Sequence, residues 1–124
     1  MQLNKALIAI SLLLSSMQSF AAGPYDGIWI VDPIGYATIN ENDGVMIVVV
    51  VYHEDYGDIW RAYQGVRTDN KARITNITGE GKLVHDIEIK TDMIAEITQV
   101  SCIPPPGYEC LLPNGYKLTA TKVW

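Results

Sequence analysis

Residues 45–54 read Val-Met-Ile-Val-Val-Val-Val-Tyr-His-Glu, and this stretch decides the fold of the chain. Its β-branched and aromatic side chains favour an extended strand over a helix. The unbroken apolar run 47–51 predicts a strand that is covered on both faces or that faces a partner. Asp43-Gly44 precedes the run, and this pair suits a tight hairpin turn because glycine accepts positive φ.

Short β segments divided by turn residues continue on both sides of this stretch. The pattern predicts about eight strands, at 27–31, 35–41, 45–54, 59–68, 71–78, 82–90, 93–102 and 116–124. Mostly short connections favour pairing between sequence neighbours, which gives an antiparallel meander. Eight strands can close on themselves and so remove exposed edges. We therefore predict an all-β fold, a small up-and-down barrel, with a two-sheet β-sandwich as the alternative.

The first 21 residues have the pattern of a secretory signal peptide. Lys5 gives the N-terminal region a positive charge, and residues 6–14 are apolar or small. Ser19 and Ala21 are small residues at the third and first positions before the predicted cleavage site. The apolar run is too short to cross a bilayer core of about 30 Å. We therefore predict cleavage after Ala21, a single domain over residues 22–124, a periplasmic or secreted location, and no membrane insertion after cleavage.

The charge balance is acidic, with nine Lys and Arg against fourteen Asp and Glu. The charges are dispersed along the chain and form no basic block. Binding to a nucleic-acid backbone or to anionic lipid needs clustered Lys and Arg. Nucleic acid is therefore excluded as a predicted partner.

The two cysteines, Cys102 and Cys110, both follow the predicted cleavage site. In an oxidising compartment such a pair most simply forms one disulfide. The loop-entropy model gives roughly 2–3 kcal/mol of stabilisation for a loop this short. Two cysteines without further Cys or His ligands nearby do not make a metal site, and no metal or cofactor is predicted.

Residues 103–109, between the cysteines, carry three consecutive prolines and a tyrosine. A stiff loop with its ends joined loses little entropy on docking, which favours contact with a partner protein. The alternative is a plain strand connection shortened by the disulfide. The predicted interaction loop consists of Pro104, Pro105, Pro106 and Tyr108.

Aromatic residues near the fourth strand and a histidine in the sixth predict a ligand pocket. Trp60, Tyr63 and His85 are its predicted lining, and a small apolar or aromatic molecule is the predicted ligand. Packing of an ordinary β core is the alternative. The nearby Arg61 and Arg67 leave room for an anionic ligand.

The sequence contains no catalytic constellation, so no catalytic residue is predicted. His85 would act as a base only beside a serine such as Ser101 or beside an acid. His53-Glu54-Asp55 with Asp58 could bind a cation, although a hairpin turn explains these residues as well.

Two resemblances are carried by short motifs. Gly27-Ile28-Trp29 resembles the Gly-x-Trp that opens the first strand of lipocalin-like and avidin-like barrels, which implies small ligands in the barrel mouth. A longer pattern is similar to small exported bacterial β-proteins of uncharacterised function: Gly27-x-Trp29, Gly44, Trp60, Ser101-Cys102, Cys110, Pro113-x-Gly115 and Lys122-Val123-Trp124. This second resemblance implies a bacterial envelope or secreted setting. It gives no information on activity.

Three functions follow from these features. The first is an exported, non-enzymatic binding or interaction domain, with the 103–109 loop as its contact surface for protein. The second is a carrier that holds a small molecule in a barrel cavity. The third is a small envelope hydrolase that uses a histidine.

Overall fold

The computed structural model describes residues 23–57 and 59–124 of the chain. The predicted signal peptide lies outside the described residues, and so does Asp58 of the predicted cation cluster. Within the described ranges, no helix is long and apolar enough to cross a membrane.

Eight antiparallel strands form a closed barrel, in which each strand pairs with its sequence neighbours and the last pairs with the first. The predicted up-and-down barrel is therefore confirmed, and the sandwich alternative is not adopted. A short 3-10 helix, Glu54–Tyr56, lies between the third and fourth strands. The strands are β1 (Gly27–Asp32), β2 (Gly35–Asn42), β3 (Val45–Tyr52), β4 (Trp60–Thr68), β5 (Lys71–Asn76), β6 (Lys82–Ile89), β7 (Ile94–Ile103) and β8 (Lys117–Lys122).

The β2–β3 hairpin has the turn that its sequence predicts. Asp43 and Gly44 have φ angles of 50° and 77°, so both central residues are left-handed. Turns of this kind match the right-handed twist of the flanking strands. The register that follows pairs Asn42 with Val45 and sets which β3 residues point inward.

Strand β3 is packed on one face only. Met46, Val48 and Val50 are buried inside the barrel. The residues between them point outward, and Val51 is 51% exposed. The prediction that this strand is buried on both faces is therefore wrong. The alternative, that its outer face contacts a partner, stays a prediction.

The barrel interior is packed in one half and hollow in the other. Trp29 and Met46 are fully buried in the packed half, and the Trp29 Nε1–H donates a hydrogen bond of 3.0 Å to the Tyr25 carbonyl oxygen. The hollow half faces the end with the β1–β2, β3–β4, β5–β6 and β7–β8 connections, which we call the loop end. The interior of the barrel therefore opens toward this end.

An arginine–carboxylate pair lies close to the β2–β3 hairpin, away from the loop end. Arg67 donates from Nε and Nη2 to the two oxygens of Glu41, at 2.6 and 2.7 Å. The Glu41 side chain is 6% exposed and that of Arg67 22% exposed. The guanidinium also stacks on the Tyr25 ring, 5.2 Å from its centre. Hydrogen bonding to Glu41 is the main reason that the pKa of Arg67 is raised.

Replacing Arg67 with alanine is expected to lower the free energy of unfolding by about 2–3 kcal/mol, because it leaves the Glu41 carboxylate buried without its partner. The double variant Arg67→Ala/Glu41→Gln should recover part of this loss, since it removes the unpaired charge as well. Urea denaturation followed by circular dichroism measures both. Arg73→Ala is the matched control, because Arg73 makes a similar pair with Asp86 on the exposed outer wall. Equal midpoint shifts for Arg67→Ala and Arg73→Ala would contradict the prediction.

Candidate functional site

The hollow half of the barrel contains a cavity of about 360 Å³. This volume lies within the range of small-molecule sites, roughly 300–1,000 Å³. Its deeper walls are aliphatic and come from inward-pointing positions of the strands. They include Val48, Val50, Ile74, Ile87, Ile97 and Leu118.

Two tyrosines place hydroxyl groups in this apolar wall. The Tyr52 and Tyr63 hydroxyls are 2.9 Å apart and hydrogen-bonded to each other. Burial is the largest cause of a raised pKa at both phenols, so both are neutral. Only one of the two O–H groups is used in their mutual hydrogen bond, so the other proton can be donated to a ligand.

His85 borders the same cavity from β6 and contacts Tyr63 edge-on, with ring centres 5.3 Å apart. The predicted association of Tyr63 with His85 is therefore present. Burial lowers the pKa of His85 to about 4, with the nearby Asp86 opposing the shift. At neutral pH the ring is uncharged, so it offers one donor and one acceptor to the cavity.

Trp60 is not part of the cavity, contrary to the predicted lining. Its side chain is 60% exposed on the outer wall of the barrel. The reason is strand alternation: Trp60 and Tyr63 are three residues apart and therefore point to opposite faces of β4. The aromatic residues that accompany Tyr63 at the cavity are Tyr52, Tyr56 and Tyr108.

The predicted disulfide between Cys102 and Cys110 is present, with an S–S distance of 2.00 Å. The loop that it closes borders the cavity mouth. Ile103, Pro104, Pro105 and Tyr108 line the opening, whereas Pro106 is exposed and lies outside the lining. The loop predicted as a contact surface for protein is therefore the rim of the cavity.

Gln99 holds the long β7–β8 connection in place from inside the barrel. The residue is 5% exposed, and its side-chain nitrogen donates to the Leu112 carbonyl oxygen. Its backbone oxygen accepts a hydrogen bond from the Gly115 N–H at 2.6 Å. The sequence interpretation missed Gln99, although its place two residues after Ile97 in an alternating strand could have indicated that it points inward.

The pairing of β6 with β7 separates His85 from Ser101. A bulge shifts the register between Val84 and His85, so that Val84 is opposite Ser101 and His85 is opposite Gln99. Directly opposed residues share a face of the sheet, and consecutive residues alternate between faces. Ser101 therefore lies on the face of Val84, and the two residues proposed for a hydrolase are not brought together.

The polar segment after β3 forms a turn. Glu54–Tyr56 is the 3-10 helix, and exposed His53 contacts the Tyr36 ring edge-on at 5.9 Å. In the part of the chain that the structure describes, no three His, Cys, Asp or Glu side chains gather in a metal-binding group. Tyr56 is the residue of this segment that reaches the cavity wall together with Ile59.

Arg61 enters the cavity mouth from β4, two positions before Tyr63. Arg67, the other arginine noted in the sequence, is held by Glu41 and does not border the cavity. The two predicted candidates for an anionic ligand are therefore separated, and Arg61 alone lies at the site.

Comparisons of the chain with protein-family models, with curated proteins and with solved structures found no match. The resemblances to exported bacterial β-proteins and to lipocalin-like and avidin-like barrels therefore stay predictions.

Proposed function

We propose that this protein is an exported, non-enzymatic carrier that holds one small apolar or aromatic molecule inside its barrel. The observation that carries the proposal is the cavity of about 360 Å³, open at one end and walled mainly by aliphatic side chains. Apolar cavities that bury most of a ligand's surface are the usual form of a small-molecule site. The disulfide agrees with an oxidising location outside the cytoplasm.

The polar groups on the inner wall favour a ligand whose buried part is largely apolar. Tyr52, Tyr63 and His85 are neutral near pH 7 and offer hydrogen bonds from fixed positions. Such groups orient a ligand without adding a buried charge. Burial of the apolar part of the ligand would supply most of the binding free energy, at about 25 cal/mol per Å².

The rim supports contact with a partner protein as a second candidate function. Tyr108 is 70% exposed and Ile103 is 59% exposed, so the disulfide-closed loop presents apolar side chains to solvent. Aromatic side chains of this kind often anchor protein interfaces. Unchanged recovery of partners from an envelope extract by a Pro105→Ala/Tyr108→Ala variant would contradict this function.

Fluorescence titration with N-phenyl-1-naphthylamine, a neutral apolar dye, tests the carrier function. We expect saturable binding to one site and loss of that binding in Val50→Trp, because the indole occupies the cavity. Val51→Trp is the matched control: it adds the same indole one residue later, on the outer face of β3. Circular dichroism checks that each variant is folded, and the smaller change Ile97→Phe replaces Val50→Trp if that variant does not fold. Failure of the natural chain to bind the dye, or unchanged binding by a folded cavity variant, would contradict the proposal.

A further inference from the structure

The Arg61 side chain lies at the cavity mouth, against the β5–β6 connection. Residue 79 in the β5–β6 connection is a glycine with φ of 78°, and a Cβ at this position would collide with Nη1 of Arg61. The positive φ by itself favours glycine at this position, and the guanidinium packs against it. The positive charge of Arg61 favours the ionised forms of Tyr52 and Tyr63 and so partly opposes the rise in their pKa, and all three residues line the same cavity.

Among the described residues, Arg61 is the arginine without an ion pair. Arg67 and Arg73 each bind a carboxylate through two nitrogens. Nη1 of Arg61 is buried and has no hydrogen-bond partner in the described ranges. A buried donor without a partner is costly, and the penalty is larger when the group is charged. Because Arg61 also lines the cavity, a ligand seated there can supply an acceptor when the guanidinium turns toward it.

Two carboxylates also border the mouth, but they do not neutralise Arg61. Glu80 and Glu109 are both exposed, and neither forms an ion pair with Arg61. Exposed charges are screened by solvent over short distances, and the screening is weaker for a group that contacts the half-buried Arg61 directly. An incoming anion therefore meets weak repulsion from the rim and strong hydrogen bonding at Arg61.

We propose that the ligand is amphipathic and carries one carboxylate, which accepts hydrogen bonds from Arg61 while the apolar part of the ligand fills the cavity. The unused Tyr52–Tyr63 hydroxyl proton is a further donor in the same cavity. A planar guanidinium matches a carboxylate geometrically and can bind it through two parallel hydrogen bonds. This inference rests on the proposed carrier function and specifies the class of molecule carried.

Competition between two ten-carbon ligands against bound N-phenyl-1-naphthylamine tests the inference. Decanoate and decan-1-ol have the same chain and differ in the carboxylate. Decanoate is expected to displace the dye at a lower concentration than decan-1-ol. In Arg61→Gln, we expect the affinity for decanoate to fall by roughly tenfold to a hundredfold, as for a lost hydrogen bond to a charged group. The affinities for the dye and for decan-1-ol should change by less than about threefold, because neither carries a charge.

Arg73→Gln is the matched control, since it removes the same charge from the outer wall, away from the cavity. Its decanoate affinity should equal that of the natural chain. Equal displacement by decanoate and decan-1-ol, or unchanged decanoate affinity in an Arg61→Gln variant that still binds the dye, would overturn the carboxylate inference alone. Absence of dye binding in the natural chain would instead overturn the carrier function.

Discussion

Replacing Trp29 with alanine is expected to lower the free energy of unfolding by about 3–5 kcal/mol. Trp29 is completely buried in the packed half of the barrel, and its Nε1–H is hydrogen-bonded to the Tyr25 carbonyl oxygen. Alanine would lose the apolar burial of the indole, leave a void beneath the cavity and remove the donor for that carbonyl. Guanidinium denaturation followed by far-ultraviolet circular dichroism measures the change.

Trp60→Ala is the control, because Trp60 is 60% exposed on the outer wall. Surface substitutions of this kind usually change stability by no more than about 0.5 kcal/mol. The two variants remove the same kind of side chain, one from the inner face of β1 and the other from the outer wall at β4. A loss for Trp60→Ala as large as that for Trp29→Ala would show that the packed half is not the main stabilising region.

The architecture could be predicted because each strand carries its own local signal. Residues such as Val48 and Ile87 lie in β-prone segments, and turns such as Asp43-Gly44 have the residues that their φ angles require. Short connections then leave little choice of pairing partner. Alternation also placed His85 correctly on the inner face of β6, where it is 9% exposed.

The candidate site could be predicted only in part, because a cavity depends on the packing of all eight strands at once. Alternation predicts that Tyr63 and His85 point inward, but a lining that includes Trp60 disregards alternation, because Trp60 is three residues from Tyr63 and lies on the opposite face of β4. Whether side chains fill a barrel depends on their summed volume against the volume enclosed, which no single segment encodes. The path of the disulfide-closed loop across the cavity mouth likewise depends on tertiary contacts, such as the hydrogen bond between the Gln99 side chain and the Leu112 carbonyl oxygen. A local sequence pattern does not show such contacts.

The lowered pKa of His85 makes the stability of the barrel depend on pH in a defined window. The ordinary pKa of histidine is 6.5, and burial lowers that of His85 to about 4 in the folded chain. Below pH 6.5 the unfolded chain therefore binds a proton that the folded chain excludes. Stability is lost progressively as the pH falls from about 6.5 to about 4, by about 3 kcal/mol in total, and this contribution is constant at lower pH.

Urea denaturation at a series of pH values, applied to the natural chain and to His85→Phe, measures this contribution. Phenylalanine keeps an aromatic ring against Tyr63 but cannot bind a proton, so the fall in stability between pH 6.5 and pH 4 should be much smaller in the variant.

His53→Gln is the control, because exposed His53 contributes no buried ring to the barrel. Asp86 lies beside His85, and its pKa is lowered mainly by its hydrogen bond with Arg73. Protonation of Asp86 therefore destabilises the barrel only at a pH below this window. A natural chain and a His85→Phe variant with parallel profiles across the window would contradict the burial of an uncharged His85, and with it the neutral inner wall on which the proposed carrier function relies.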